Sequence, residues 1–192
     1  MSDRSYNPLN VDELGRNAAR KLMDYPAVAL PPEERFAGGG VYSIYYHGGF
    51  LAYAKLKGAP IYVGKADLPG KRQGRRAGKA PRPVLHSRLR EHAQTIRHAD
   101  NLSLSDFRCR WLVLDPVWIS LTEQVLIAEY QPVWNVLVDG FGIHQPGRGR
   151  HRQRRSQWDT LHPGRPWAAD LPDNDMSAAE IEQAILNRRN AP

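Results

Sequence analysis

Val41-Tyr42-Ser43-Ile44-Tyr45-Tyr46 and, after a loop, Pro60-Ile61-Tyr62-Val63-Gly64-Lys65 are two short runs rich in β-branched and aromatic residues. Such residues suit a pleated, packed surface, so both runs predict strands. Gly38-Gly39-Gly40 precedes the first run and Gly48-Gly49 follows it. The loop between them is about a dozen residues, which predicts a hairpin with a long connection and not a tight turn. Tyrosines at these positions are either ordinary cross-strand aromatics or phenols presented to a ligand.

Downstream, Leu85, Leu89, His92 and Ile96 form one stripe at helical spacing and predict a helix from about Leu85 to Arg97. Arg88 and His92, four apart, are neighbours on its surface. Phe107 to Leu114 alternates as a third strand would, and Asp115-Pro116 ends it. Ser120-Leu121-Thr122-Glu123 reads as a capping box opening a helix that stops at Pro132, after which Val133-Trp134-Asn135-Val136 closes the core. The order β-β-α-β-α predicts an α+β fold, with a small three-stranded, mainly antiparallel sheet flanked by helices. Three regions follow: an arm with one helix over 1–37, the core over 38–140, and a basic arm with a terminal helix over 141–192. That last helix is predicted to start at Ser177, with Glu180 completing its capping box.

No apolar run approaches the ~20 residues that span a bilayer, and Met1-Ser-Asp-Arg-Ser does not read as a signal peptide. Cys109 is the single cysteine. It excludes an internal disulfide or a cysteine-cluster metal site, and its alternation with Phe107 and Trp111 assigns it to the core. A cytoplasmic protein with no membrane partner is expected.

The net charge is +7, and it is unevenly placed. Residues 65–97 carry ten Lys or Arg against Asp67 and Glu91; residues 144–165 carry six arginines against Asp159 alone. These stretches hold 16 of the 27 basic residues and three of the 20 acidic ones, so the remainder is net acidic. Positive charge gathered in two stretches predicts a polyanion-binding surface. Lys71, Arg72, Arg75 and Arg76 in the first, and Arg148, Arg150, Arg152, Arg154 and Arg155 in the second, are the candidate DNA contacts. Trp158 and Trp167, interleaved with these arginines, suit a segment lying along a nucleic acid groove.

Gly40-Val41-Tyr42 and Tyr62-Val63-Gly64 resemble the signature of the GIY-YIG nuclease superfamily, over about residues 38–140. With Arg88-x-x-x-His92, Glu123 and Trp134-Asn135, the chain is similar to its type II restriction endonucleases, and most to the branch that cuts CCGCGG. The resemblance implies a bacterial homodimer that binds double-stranded DNA and uses Mg²⁺ to hydrolyse one phosphodiester in each strand of a palindrome. It implies a site of Tyr42, Tyr62, Arg88, His92, Glu123 and Asn135, to which Lys65 adds a cation.

The residue chemistry suits those roles. A lone carboxylate, Glu123, can hold Mg²⁺, which keeps most of its water; Glu123 can equally serve as the cap of its helix. Arg88 offers a fixed positive charge to a phosphate. Tyr42 acts as a base only if Arg88, Lys65 and the metal lower a phenol pKa of ~10. Whether Tyr42, Tyr62 or His92 is the base stays open. Asn135 either holds the site through hydrogen bonds or forms a turn, and Lys65 is either a contact or a surface lysine. A homing or repair nuclease of the same superfamily and a non-catalytic DNA-binding protein are the alternative functions.

Overall fold

The first strand run, now β2 (Gly40–Tyr46), is buried at every residue. A strand covered on both faces reads as a continuous apolar and aromatic run, which is why its sequence shows no clean alternation. β3 (Tyr62–Ala66) pairs with one side of it and β4 (Phe107–Val113) with the other, both antiparallel. The computed structural model describes residues 11–54, 56, 58–68, 82–143 and 153–188.

The sheet has four strands and not three. Val28–Ala29, as β1, pairs with the outer side of β4 to give the order β1-β4-β2-β3. Two residues are too few to show any periodicity, yet they satisfy part of an edge that would otherwise present open N–H and C=O groups. Cys109, opposite Val28, is fully buried, and burial pushes its thiol up to about 12.

The strands divide two cores. Tyr42, Ile44 and Tyr46 point to the larger one, with Leu85, Leu89 and Ile96 of α2 (Val84–His98). Val41 and Val63 point the other way, against Ile119 and Leu126 of α3 (Pro116–Tyr130) and Ala19 and Leu22 of α1 (Val11–Asp24). No helix among the described residues is long and apolar enough to cross a membrane.

α3 starts four residues before the predicted box. Asp115-Pro116 opens it, because proline's fixed φ is preorganised for the first turn and its missing N–H is no loss there. Ser120 therefore lies inside the helix, and Glu123 is released from capping. α3 is capped by Gln131 in the left-handed region (φ 46°), where the side-chain Nε2 of Gln131 donates to the carbonyls of Ile127 and Ala128. Val133–Val136 then forms a one-turn helix, α4.

Beyond Gly140 the chain packs back on the larger core through α5 (Gln157–Leu161), α6 (Pro166–Ala169) and α7 (Ala178–Arg188). Trp158 is fully buried against Trp134 and Phe141. The expectation that it lies along a nucleic acid groove is corrected: a large apolar ring gains more from a dry core than from a wet surface. At α7 the capping box is present. The Ser177 amide donates to Glu180 Oε2 (2.7 Å) and the Glu180 amide to Ser177 Oγ (3.3 Å).

A neutral polar chain ties this segment down. Trp134 Nε1 donates to Tyr53 Oη (2.9 Å), Tyr53 Oη meets His162 Nε2 (2.7 Å), and His162 Nδ1 meets Asn101 Oδ1 (2.9 Å). An amide oxygen only accepts, so His162 carries its proton on Nδ1 and accepts from Tyr53 on Nε2. Burial depresses the His162 pKa to about 3. Below pH ~6.5 the unfolded chain takes up a proton there that the folded chain refuses, so stability falls with pH between about 6.5 and 3. The expected slope is about 1.4 kcal/mol per unit. Denaturant titrations at pH 5 and 6.5 check this. His162→Gln should be less stable at neutral pH but lose less on acidification than the parent; equal losses would remove His162 as the cause.

Candidate active site

Register brings the two motif tyrosines to one face. Tyr42 lies opposite Gly64, and Tyr62 opposite Ile44, so the two phenols are diagonal neighbours with ring centroids 6.2 Å apart. Glycine at 64 has a steric reason. A Cβ there would stand 2.4 Å from Tyr42 Oη, so only glycine lets the phenol lie over β3. Gly40 likewise allows close backbone approach, since a Cβ would meet the Leu112 carbonyl at 2.0 Å.

The α2 stripe supplies the next two groups. His92 is buried, and its Nε2 lies 2.5 Å from Tyr42 Oη. Phe141 stacks on the imidazole (4.7 Å) and Tyr62 meets it edge-on (5.3 Å). One turn earlier, Arg88 donates to Glu91 Oε2 (2.9 Å) and to the Gly142 carbonyl (2.9 Å). Its charge pulls the pKa of both phenols down.

The sequence predicts that cations lower Tyr42, and here the structure differs. Burial is the largest influence and Tyr62 adds to it, so the Tyr42 pKa stands well above 10 despite Arg88. Lys65, the second expected cation, is committed elsewhere. Tyr62 is also raised, chiefly by burial. Both phenols are therefore neutral in the free protein.

Lys65 and Glu123 meet on the opposite face of the sheet. Lys65 Nζ lies 2.7 Å from Glu123 Oε2 and donates to Ser120 Oγ (3.3 Å). Glu123 thus bonds neither to the Ser120 backbone nor as a cap. Its field also raises the Tyr62 pKa. β3 is an edge strand, with the phenol on one face and the carboxylate on the other. Asn135 closes the same edge: its Oδ1 accepts from the Val63 amide and its Nδ2 donates to the Val63 carbonyl, both at 2.8 Å. The side chain thereby imitates a neighbouring strand and fixes the residue between Tyr62 and Gly64.

Of the candidate DNA contacts, Lys71, Arg72, Arg75, Arg76, Arg148, Arg150 and Arg152 lie outside the described residues. In sequence the first group lies between β3 and α2, and the second follows Ile143. Arg154 is exposed and pairs with Asp175. Arg155 donates to the Ala168, Ala169 and Leu171 carbonyls (3.2–3.5 Å) and lies 3.3 Å from Asp173, which gives it a bracing task near α6.

Residues that sequence reasoning passes over also border the site. A Cβ on Gly142 would stand 2.8 Å from Tyr62 Oη. Arg88, His92, Phe141, Gly142, Arg165 and Trp167 are among the walls of a cleft of about 250 Å³. The lone carboxylate among the six arginines of the second basic stretch, Asp159, is the signal that one of those arginines is paired inside.

The family model for the Eco29kI GIY-YIG domain matches residues 34–188. No curated protein matches the chain.

Proposed function

The chain belongs to the GIY-YIG restriction endonuclease family represented by the Eco29kI domain and is a nuclease acting on DNA, and from that premise we propose a type II restriction endonuclease that cuts both strands of a palindromic, G·C-rich site, CCGCGG on the family resemblance. The observation that carries the chemistry is the 2.5 Å contact between Tyr42 Oη and His92 Nε2. Hydrolysis needs a base at the attacking water, positive charge at the phosphate, and relief of charge on the departing 3′ oxygen.

A buried neutral phenol is a poor base alone. Joined to an imidazole it becomes a relay: the water's proton passes to Tyr42 Oη as Tyr42's own proton passes to His92 Nε2. No free phenolate forms, so the raised pKa of Tyr42 is no obstacle. Arg88, aimed by Gly142 and Glu91, supports the non-bridging oxygens of the phosphate. Tyr62, the diagonal neighbour of Tyr42 and close to Gly142, orients the phosphate or the water.

Among the described residues no group of three or more His, Cys, Asp or Glu could cage a metal ion. A single carboxylate nevertheless fits Mg²⁺, which retains waters and takes phosphate oxygens as ligands. Glu123 would hold it; when bound, the ion supplies positive charge at the scissile phosphate and leaving oxygen. Lys65 neutralises Glu123 in the free protein and contributes a further cation to the phosphate. Asn135 keeps the edge strand in place. Lys71, Arg72, Arg75 and Arg76 of the first basic stretch and Arg148, Arg150 and Arg152 of the second contact the duplex, and a two-fold homodimer presents one such site to each strand.

Digestion of plasmids of known sequence with Mg²⁺ tests the reading. Discrete fragments ending at one recurring palindrome are expected. Absence of cleavage, nicking of damaged DNA, or a single rare cut would reject it.

A further inference from the structure

The turn at 140–143 forms one wall of the site, and what holds the turn lies far along the chain. Gly140 adopts φ +101°, a conformation that suits glycine, and sends Phe141 into the core and the Gly142 carbonyl to Arg88. Within the turn the Ile143 amide donates to the Gly140 carbonyl (3.2 Å). Three of the turn's carbonyls, that of Gly140 included, converge on one guanidinium. Arg165 Nη2 donates to Gly140 O (2.9 Å), and Nη1 to Ile143 O (3.1 Å) and Phe141 O (3.5 Å).

That guanidinium is itself fixed on every side. Its Nε donates to the Asp159 carboxylate, whose other oxygen accepts from Ser156 Oγ (2.6 Å). Trp158 and Trp167 flank it, with ring centroids 4.6 and 4.8 Å from Cζ. Arg165 is 3% exposed and Asp159 1%. Burying an ion pair is costly, and an apolar pair of similar volume stabilises a core as well or better. What an apolar pair cannot do is hold three carbonyls in one arrangement, a task that suits a planar fork of five donors.

We propose that Arg165, braced by Asp159, is a positioning residue for the nuclease site: it locks the 140–143 turn so that the Gly142 carbonyl fixes Arg88 beside Tyr42 and Tyr62. The inference rests on the nuclease reading. It makes the segment around 159–165 a structural partner of the reaction, although that segment offers no group to the phosphate. Misplacement of a catalytic group by about 1 Å can cost on the order of 100-fold in rate, which sets the scale of the effect.

The test replaces the pair by apolar residues, Arg165→Met with Asp159→Leu, a change chosen to preserve folding. Single-turnover cleavage with Mg²⁺ should fall by roughly 30- to 100-fold. Binding of the same DNA with Ca²⁺ should change by less than about threefold, and cooperative melting should persist. In an Arg88→Lys background the same pair of changes should cost less than about threefold, because the group being positioned is already altered. A parental cleavage rate, or equal losses in the two backgrounds, would overturn the proposal. If the double variant does not fold, Arg165→Lys, which keeps the charge but not the fork, is held to the same expectations. Hydrogen exchange at the Ile143 amide reads the clamp without DNA. It should accelerate at least about tenfold in the variant, and unchanged exchange would refute the clamp. Failure of the wild type to cut any DNA would reject the nuclease reading alone.

Discussion

Glu123→Gln is expected to lower the single-turnover cleavage rate by on the order of 10³-fold, about 4 kcal/mol of transition-state stabilisation, while DNA binding without Mg²⁺ is unchanged or tighter. The substitution keeps the shape of the side chain and removes its charge. Lys65 loses an ion pair, but the two side chains are 33% and 18% exposed, so the pair contributes no more than about 1 kcal/mol to the fold. The loss therefore falls on the chemistry. The direction for binding follows from charge: a carboxylate beside a phosphate backbone opposes the polyanion, and neutralising it frees Lys65 to attract it. Rapid-quench cleavage and fluorescence anisotropy on one duplex separate the two quantities. Cleavage within tenfold of the parent would remove Glu123 from the reaction.

How much of this was legible in the chain differs by element. β2 announces itself because glycines bound it and both faces are buried, so nearly every position is apolar or aromatic, and β3 shows through Ile61-Tyr62-Val63. The α2 stripe is equally plain, and helical spacing alone sets Arg88 and His92 one turn apart. Glu123 was legible as a residue but not as a contact. The letters of a capping box are present at 120–123, yet Pro116 has already opened the helix, so the box is never used. β1 is too short for a periodic signal, and its pairing depends on an edge that exists only once the sheet is formed.

The second basic stretch shows the sharper limit. Linear charge density treats Arg154, Arg155 and Arg165 alike, whereas one is exposed, one braces the backbone, and one is buried on Asp159. Only the partner distinguishes an arginine for phosphate from an arginine for the fold, and partners are a property of the tertiary structure. The same holds for Tyr42. Its neighbouring cations can be listed from sequence, but the burial that outweighs them cannot.

Tyr42→Phe should reduce cleavage by roughly 10² to 10⁴-fold, the range expected for removing a group that moves a proton in the transition state. The ring stays, so its packing with Tyr62 and His92 is kept; only the hydroxyl at 2.5 Å from Nε2 is lost. Leaving a buried imidazole nitrogen without that partner costs about 1–3 kcal/mol of stability, so rates are compared well below the melting temperature. If Tyr42 and His92 act as one relay, His92→Ala causes a similar loss, and the double variant is little worse than either single. The pH profile separates a relay from a free phenolate. Burial holds the Tyr42 proton so firmly that ionised phenol is scarce at neutral pH, and a phenolate mechanism would make the rate climb about tenfold per unit through pH 9. A relay needs no ionised phenol, so it gives no such climb and the rate stays flat through pH 9. A continuous climb to pH 9, or losses that multiply in the double variant, would show that the phenol and the imidazole work separately.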